Sequence, residues 1–144
     1  MIRIILSAIL LLILPIQVWS ETLTWYDLVL REHLYYKKFT NVPFTGEISG
    51  RKSGKIKNGK LIGEWLYFYK NGQLKALKNF KDLKKDGHYY HGPYETYYEN
   101  GKLNVKGQLK DGEQDGIWEY FNDDGSLKRT ETWNNGKKIG KVNY

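Results

Sequence analysis

A chain of 144 residues without cysteine has room for one domain or one short repeat array, and it excludes disulfides, thiolate metal sites and cysteine nucleophiles. Three histidines (His33, His88 and His91) are too few for most acid–base or metal constellations, whereas 15 glycines, 3 prolines and 12 tyrosines suit strands and tight turns. With 40% hydrophobic and 15% aromatic residues and a net charge of +7, the composition predicts a folded, basic, all-β protein rather than a disordered one.

Residues 1–20 read as an address. Arg3 precedes an aliphatic run from Ile4 to Leu14, Pro15 and Gln17 break it, and Val18 and Ser20 take the small-residue positions before a cut. This is the layout of a secretory signal peptide. Its apolar core, about a dozen residues, falls short of the roughly 18 that a permanent span needs. Cleavage is expected between Ser20 and Glu21, leaving a mature chain in the periplasm or outside the cell; no cysteine follows the run, so a lipoprotein anchor is not expected.

Residues 21–50 are expected to form a lead-in cap. Leu28-Val-Leu30 and Leu34-Tyr-Tyr36 would pair as a hairpin turning at Glu32-His33, at one end of an array covering 51–144. Within that array three segments align without gaps: Gly63-Glu-Trp-Leu-Tyr-Phe-Tyr-Lys-Asn-Gly72, Gly92-Pro-Tyr-Glu-Thr-Tyr-Tyr-Glu-Asn-Gly101 and Gly116-Ile-Trp-Glu-Tyr-Phe-Asn-Asp-Asp-Gly125. Leu74, Leu103 and Leu127 follow two residues after each closing glycine, and Phe80, Leu109 and Trp133 eight residues after. The starts at 92, 116 and 140 are 24 apart and those at 63 and 92 are 29 apart, so the second unit carries a five-residue insertion near Leu83 to His91.

Inside one unit, Trp65, Tyr67 and Tyr69 alternate with Leu66 and Phe68, the period that sends successive side chains to opposite faces of a strand. Asn71-Gly72, Asn100-Gly101 and Asp124-Gly125 are expected to supply the two positive-φ residues of a type I′ turn. Each unit is then a hairpin, and the stack is an elongated antiparallel β-meander. The pattern G-x-W-x-x-Y/F, N-G-x-L, then a large apolar residue before K-D/N-G resembles the MORN-repeat variant. The lead-in Leu34-Tyr-Tyr-Lys-Lys-Phe-Thr-Asn-Val-Pro-Phe-Thr-Gly46 resembles the start of the bacterial YwqK-type antitoxin family. The resemblance covers roughly residues 23 to 144 and implies a MORN-like meander, no catalytic activity, and an antitoxin or immunity role in which the partner is a toxin.

The residues themselves favour binding over catalysis. Even positions of the outgoing strands hold Trp65, Tyr67 and Tyr69, then Tyr94 and Tyr98, then Trp118 and Tyr120; odd positions mix carboxylates with apolar groups. The seven even-position aromatics are the candidate binding residues, since tryptophan and tyrosine dominate protein interfaces; the other reading is cross-strand packing. Ser49, Ser53 and Ser126 neighbour turn glycines and lack the elbow of a hydrolase nucleophile. Asp86, His88 and His91 have a spacing that allows two imidazoles to share a metal, but no third ligand is evident, and an extended polar turn is expected instead. No cofactor, catalytic residue or metal site is predicted.

Charge is segregated: residues 51 to 85 hold 11 basic and 2 acidic groups, and 86 to 131 hold 5 and 10. Export and the acidic half argue against nucleic acid, and no small-molecule substrate is expected. A protein partner is the first expectation, with an anionic membrane surface or polymer bound through Arg51 to Lys85 as the alternative. Intact-mass measurement of protein from the cell envelope is expected to find a chain beginning at Glu21; a cytosolic species retaining Met1 would refute export.

Overall fold

The computed structural model describes residues 21–81 and 89–144. The expected signal peptide, and Asp86 and His88 of the insertion, lie outside the described residues. Alternating side chains interrupted by glycine-containing turns give a protein that is nearly all strand: β1 (Thr22–Thr24), β2 (Leu28–Arg31), β3 (Leu34–Lys37), β4 (Gly46–Ser49), β5 (Lys52–Lys57), β6 (Lys60–Phe68), β7 (Leu74–Lys81), β8 (Tyr89–Tyr97), β9 (Leu103–Lys110), β10 (Glu113–Phe121), β11 (Leu127–Asn134) and β12 (Lys137–Asn143). Strands β4 to β12 run as one antiparallel meander in chain order, β1 adds to β4, and β2 and β3 form a separate hairpin. The β1–β4 pair is parallel, because the chain crosses through the β2–β3 hairpin before it returns.

Two kinds of turn alternate along the meander. At Asn58-Gly59, Asp111-Gly112 and Asn135-Gly136 both residues have positive φ (50° and 76°, 51° and 92°, 45° and 75°), the type I′ geometry that matches strand twist. Glu32-His33 does the same between β2 and β3, at 47° and 62°. The expectation for Asn71-Gly72, Asn100-Gly101 and Asp124-Gly125 is corrected: only the glycines are left-handed there, at 87°, 83° and 89°. Each glycine N–H reaches back three residues, to the carbonyls of Tyr69, Tyr98 and Asn122 at 3.1, 2.9 and 2.9 Å. This is a type I turn followed by a left-handed glycine, with the register slipping where the strands resume. The cause is local. Side-chain oxygens of Asn71, Asn100 and Asp124 accept the N–H two residues on at 3.0, 2.9 and 2.8 Å, a bond that competes with the I′ conformation.

Both turn columns tie one repeat to the next. Tyr69 and Tyr98 donate their hydroxyls to the carbonyls of Tyr97 and Phe121, each at 2.8 Å, and the Asn71 and Asn100 amides reach Glu99 and Asp123 at 3.3 and 2.8 Å. On the opposite side, Gly112 and Gly136 donate to Tyr90 and Gln114 at 2.8 and 2.9 Å.

A lone sheet has no second layer to bury its apolar face, so the lead-in supplies one at the amino-terminal end. Leu28, Phe44, Ile48, Ile56, Leu61, Trp65 and Phe80 form the buried cluster, with Trp25, Tyr35, Tyr67 and Tyr90 packed against it. Gly59 is clamped there, donating to Phe44 while its carbonyl accepts the Tyr35 N–H, both at 2.8 Å. Inside this region and beyond it, the sheet packs a tryptophan against its own backbone. The Trp65 indole lies on Gly54 and the Trp118 indole on Gly107, and a Cβ at either glycine would overlap the ring. Gly107→Ala is expected to destabilise by about 1–3 kcal/mol, the usual range for overpacking. In a denaturant double-mutant cycle with Trp118→Leu the two effects should be strongly non-additive; simple additivity would mean the approach is not the cause.

Candidate binding face

Cross-strand register lines up the even positions into rows. One row runs Trp65, Lys78, Tyr94, Gly107, then across a register shift Trp118, Glu131 and Lys141. A second runs Tyr67, Ala76, Thr96, Val105, Tyr120 and Arg129. Five of the seven candidate residues therefore share one face and pack along it. The lead-in covers this face over the first strands, with Trp25 edge-on to Trp65 at 5.8 Å and Phe80 at 6.2 Å, and leaves Trp65 with no exposure. Trp118 has no such cover, yet it is 4% exposed. Gly107 admits the ring, Tyr94 packs on it at 5.4 Å, and its N–H donates to Gln108 at 3.1 Å. Both tryptophans are thus inside the packing. Tyr67, Tyr94 and Tyr120 stay half-buried and offer ring surface, whereas Tyr69 and Tyr98, also half-buried, spend their hydroxyls on the next repeat.

Two charged residues that the sequence reading did not single out complete this face. Gly54, Lys78, Gly107 and Glu131 occupy one place in the repeat, the place opposite the tryptophan or tyrosine. The half-buried Lys78 ammonium lies 4.8, 5.3 and 5.7 Å from the ring centres of Tyr90, Tyr67 and Tyr94, within cation–π range of all three, and 3.5 Å from the Tyr90 hydroxyl. Glu131 is the buried charge at the same place. It accepts from Arg129 and Tyr120, each at 3.1 Å, with the Lys138 ammonium 3.7 Å away, and the Arg129 guanidinium stacks 3.6 Å over Tyr120. Reading the returning strands at one place of the repeat would have found both; the eye follows the outgoing strand because its tryptophans mark it.

Ionisation follows from these contacts. Burial pushes the Glu131 carboxyl up, but the bonds from Arg129 and Tyr120 and the charges of Lys138 and Arg129 outweigh it and hold the group below its ordinary value. Burial, with Tyr90 and Tyr35 nearby, raises the Tyr67 hydroxyl to about 12, so it stays a neutral donor. The opposite face is wetter, with Leu66 and Leu77 followed by Glu95, Lys106, Glu119 and Thr130 across successive strands. Tyr97 donates to Glu95 there and is likewise pushed to about 12 by burial and that bond.

His91 takes a turn role: its Nδ1 accepts the Asp111 N–H at 3.3 Å, as Asp115 accepts from Asn135 at 3.2 Å one repeat later. Among the described residues, no group of three or more His, Asp or Glu is arranged to hold a metal. The arrangement can bind and orient a partner.

Residues 61–82, 90–111 and 114–135 match the family model described as MORN repeat variant, each match running from an outgoing strand through its turn to the returning strand. Three stretches of the chain are thus similar to this repeat type. Neither a curated protein nor a solved structure matches the chain.

Glu131→Gln tests the charged end of the face. A carboxyl held below its unfolded value of 4.5 contributes stability that is present above pH 4.5 and lost as the pH falls through the lower folded value. The variant should therefore show a lower urea midpoint at pH 7, and the gap from the parent should close in acid; a gap independent of pH would remove the linkage.

Proposed function

We propose that this protein is an exported, non-catalytic binding module that holds a protein partner on the tyrosine face of its sheet, and that it serves as an antitoxin or immunity protein. One observation carries the reading. The buried cluster under the lead-in ends at Phe80 and Tyr90, while the same face continues through Tyr94, Tyr120, Glu131 and Arg129 with, among the described residues, only the sheet's own side chains over it. Half-buried aromatic rings pinned by packing, beside a paired Glu131 and Arg129, are preorganised anchors of the kind that interfaces use. The resemblance of the lead-in to YwqK-type proteins supports the antitoxin role, and the layout of residues 1–20 supports export.

A second reading has its own support. The basic stretch from Arg51 to Lys81 forms strands β5 to β7, so its lysines are gathered at one end of the meander. That end would rest on an anionic lipid or polymer surface, and adsorption to phosphatidylglycerol vesicles that vanishes at high salt would favour it.

Affinity purification from the envelope fraction tests the first reading. Tyr94→Ala and Tyr120→Ala are expected to weaken partner retention at least tenfold; Tyr94→Ala should change Tm little, whereas Tyr120→Ala also removes a bond to the buried Glu131 carboxylate and should lower Tm moderately. Trp118→Ala should instead cost about 3–5 kcal/mol of stability. A large Tm drop in both tyrosine variants would assign those rings to the core. If a toxin is encoded beside this protein, deletion should abolish immunity to it; retained immunity would remove the antitoxin role while leaving the binding face standing.

A further inference from the structure

The lead-in does more than cover the core: where its first turn meets the sheet it leaves a cleft of about 480 Å³, within the size range of small-molecule sites. Trp25, Tyr67 and Phe68 give it aromatic walls, and Arg51, Lys52 and Lys75 bring three cations to it. The cations come from two parts of the sheet. Arg51 ends the turn between β4 and β5 and Lys52 opens β5, and the turn is held against the end of β6 by the Phe68 N–H donated to the Arg51 carbonyl at 2.9 Å. Lys75 comes from β7.

No carboxylate lines the cleft, and none of the three cations forms an ion pair among the described residues. Arg51 has only the Tyr26 hydroxyl, a neutral partner at 3.4 Å, and Lys52 sits 4.5 Å over the Trp25 ring. Asp27, two residues after Trp25, is committed to the Thr24 N–H and hydroxyl at 2.8 and 2.6 Å. Lys55 and Arg129, by contrast, have carboxylate partners, Glu47 at 3.4 Å and Glu131 at 3.1 Å. Lys75 rests 5.4 Å from the Tyr69 ring centre, so all three cations have only neutral partners among the described residues, and beside an aromatic wall they suit an anion with an apolar body.

We propose that this cleft binds a small ligand carrying a carboxylate or phosphate on a flat aromatic body, with the ring against Trp25 and Tyr67 and the oxyanion on Arg51, Lys52 and Lys75. The guanidinium fork of Arg51 suits either oxyanion, because two parallel N–H groups match two oxygens of each. The lysines add point charge without geometry, so charge attracts the ligand and the aromatic wall selects it. This site meets the tyrosine face described above only at Tyr67; Tyr94, Tyr120 and Glu131 take no part in it.

Isothermal titration calorimetry on the full chain, with four probes, tests the proposal: indole-3-acetate, phenyl phosphate, the neutral indole-3-acetamide, and inorganic phosphate. At least one aromatic oxyanion should bind, with the amide and inorganic phosphate at least tenfold weaker. Preference for indole-3-acetate or for phenyl phosphate then names the anionic group. Arg51→Gln and Lys75→Gln, both exposed side chains expected to leave Tm unchanged, should each weaken the oxyanion severalfold and leave the amide unaffected. Absence of heat with every probe overturns the proposal. So does an amide that binds as well as the acid, an inorganic phosphate that binds as well as its aromatic ester, or oxyanion binding indifferent to both substitutions.

Discussion

Trp65 and Trp118 lie flat on the backbone of the neighbouring strand, and the rest of the sheet is arranged around that contact. A single-layer sheet has no opposing core into which a tryptophan can be inserted. Its way to bury an indole is to remove the Cβ beside it, which Gly54 and Gly107 do. Where the same place holds Lys78 the aromatic across from it is the smaller Tyr94, and the ammonium fills the space among three rings. Where it holds Glu131, Arg129 and Tyr120 must supply hydrogen bonds, since a buried carboxylate without them would be costly. One position in the repeat therefore decides whether a unit is apolar, cationic or anionic on this face.

Stability in such a molecule is a sum of local terms. Each repeat contacts its neighbours, as in other arrays that grow along one direction, and the two columns of turns carry hydrogen bonds that reach from one repeat to the next. Tyr69 and Tyr98 perform the same service one repeat apart, and Asn122 at the corresponding place bonds Ser126 within its own turn instead. The ends differ in kind. At the amino-terminal end the lead-in adds a second layer and fully covers Trp65, whose indole N–H, like that of Trp133 farther along, has no hydrogen-bond partner among the described residues, whereas Trp118 keeps that N–H bonded to Gln108.

The same asymmetry divides the surface by chemistry. Basic strands β5 to β7 lie under the lead-in, and Arg51, Lys52 and Lys75 line its cleft. The half-buried tyrosines and the Glu131–Arg129 pair occupy the uncovered stretch. A repeat protein with identical units would present one surface over its whole length; here an added layer at one end makes two.

Much of this was legible in the sequence because it is set by near neighbours. Alternating side chains, the three gap-free segments and the Glu32-His33 hairpin are local properties, and the strands and meander follow from them. Turn type at Asn71-Gly72 was misread for an equally local reason: the dipeptide is the same in both turn classes, and the number of residues left between the paired strands, together with the asparagine's bond to its own backbone, selects the geometry. The sequence by itself determined which residues point to one face. Only the tertiary structure decided what that face is worth at each point, because the lead-in's position over Trp65, the glycines under the indoles and the meeting of Glu131 with Tyr120 depend on strands paired side by side, and register is a property of the pair rather than of either strand.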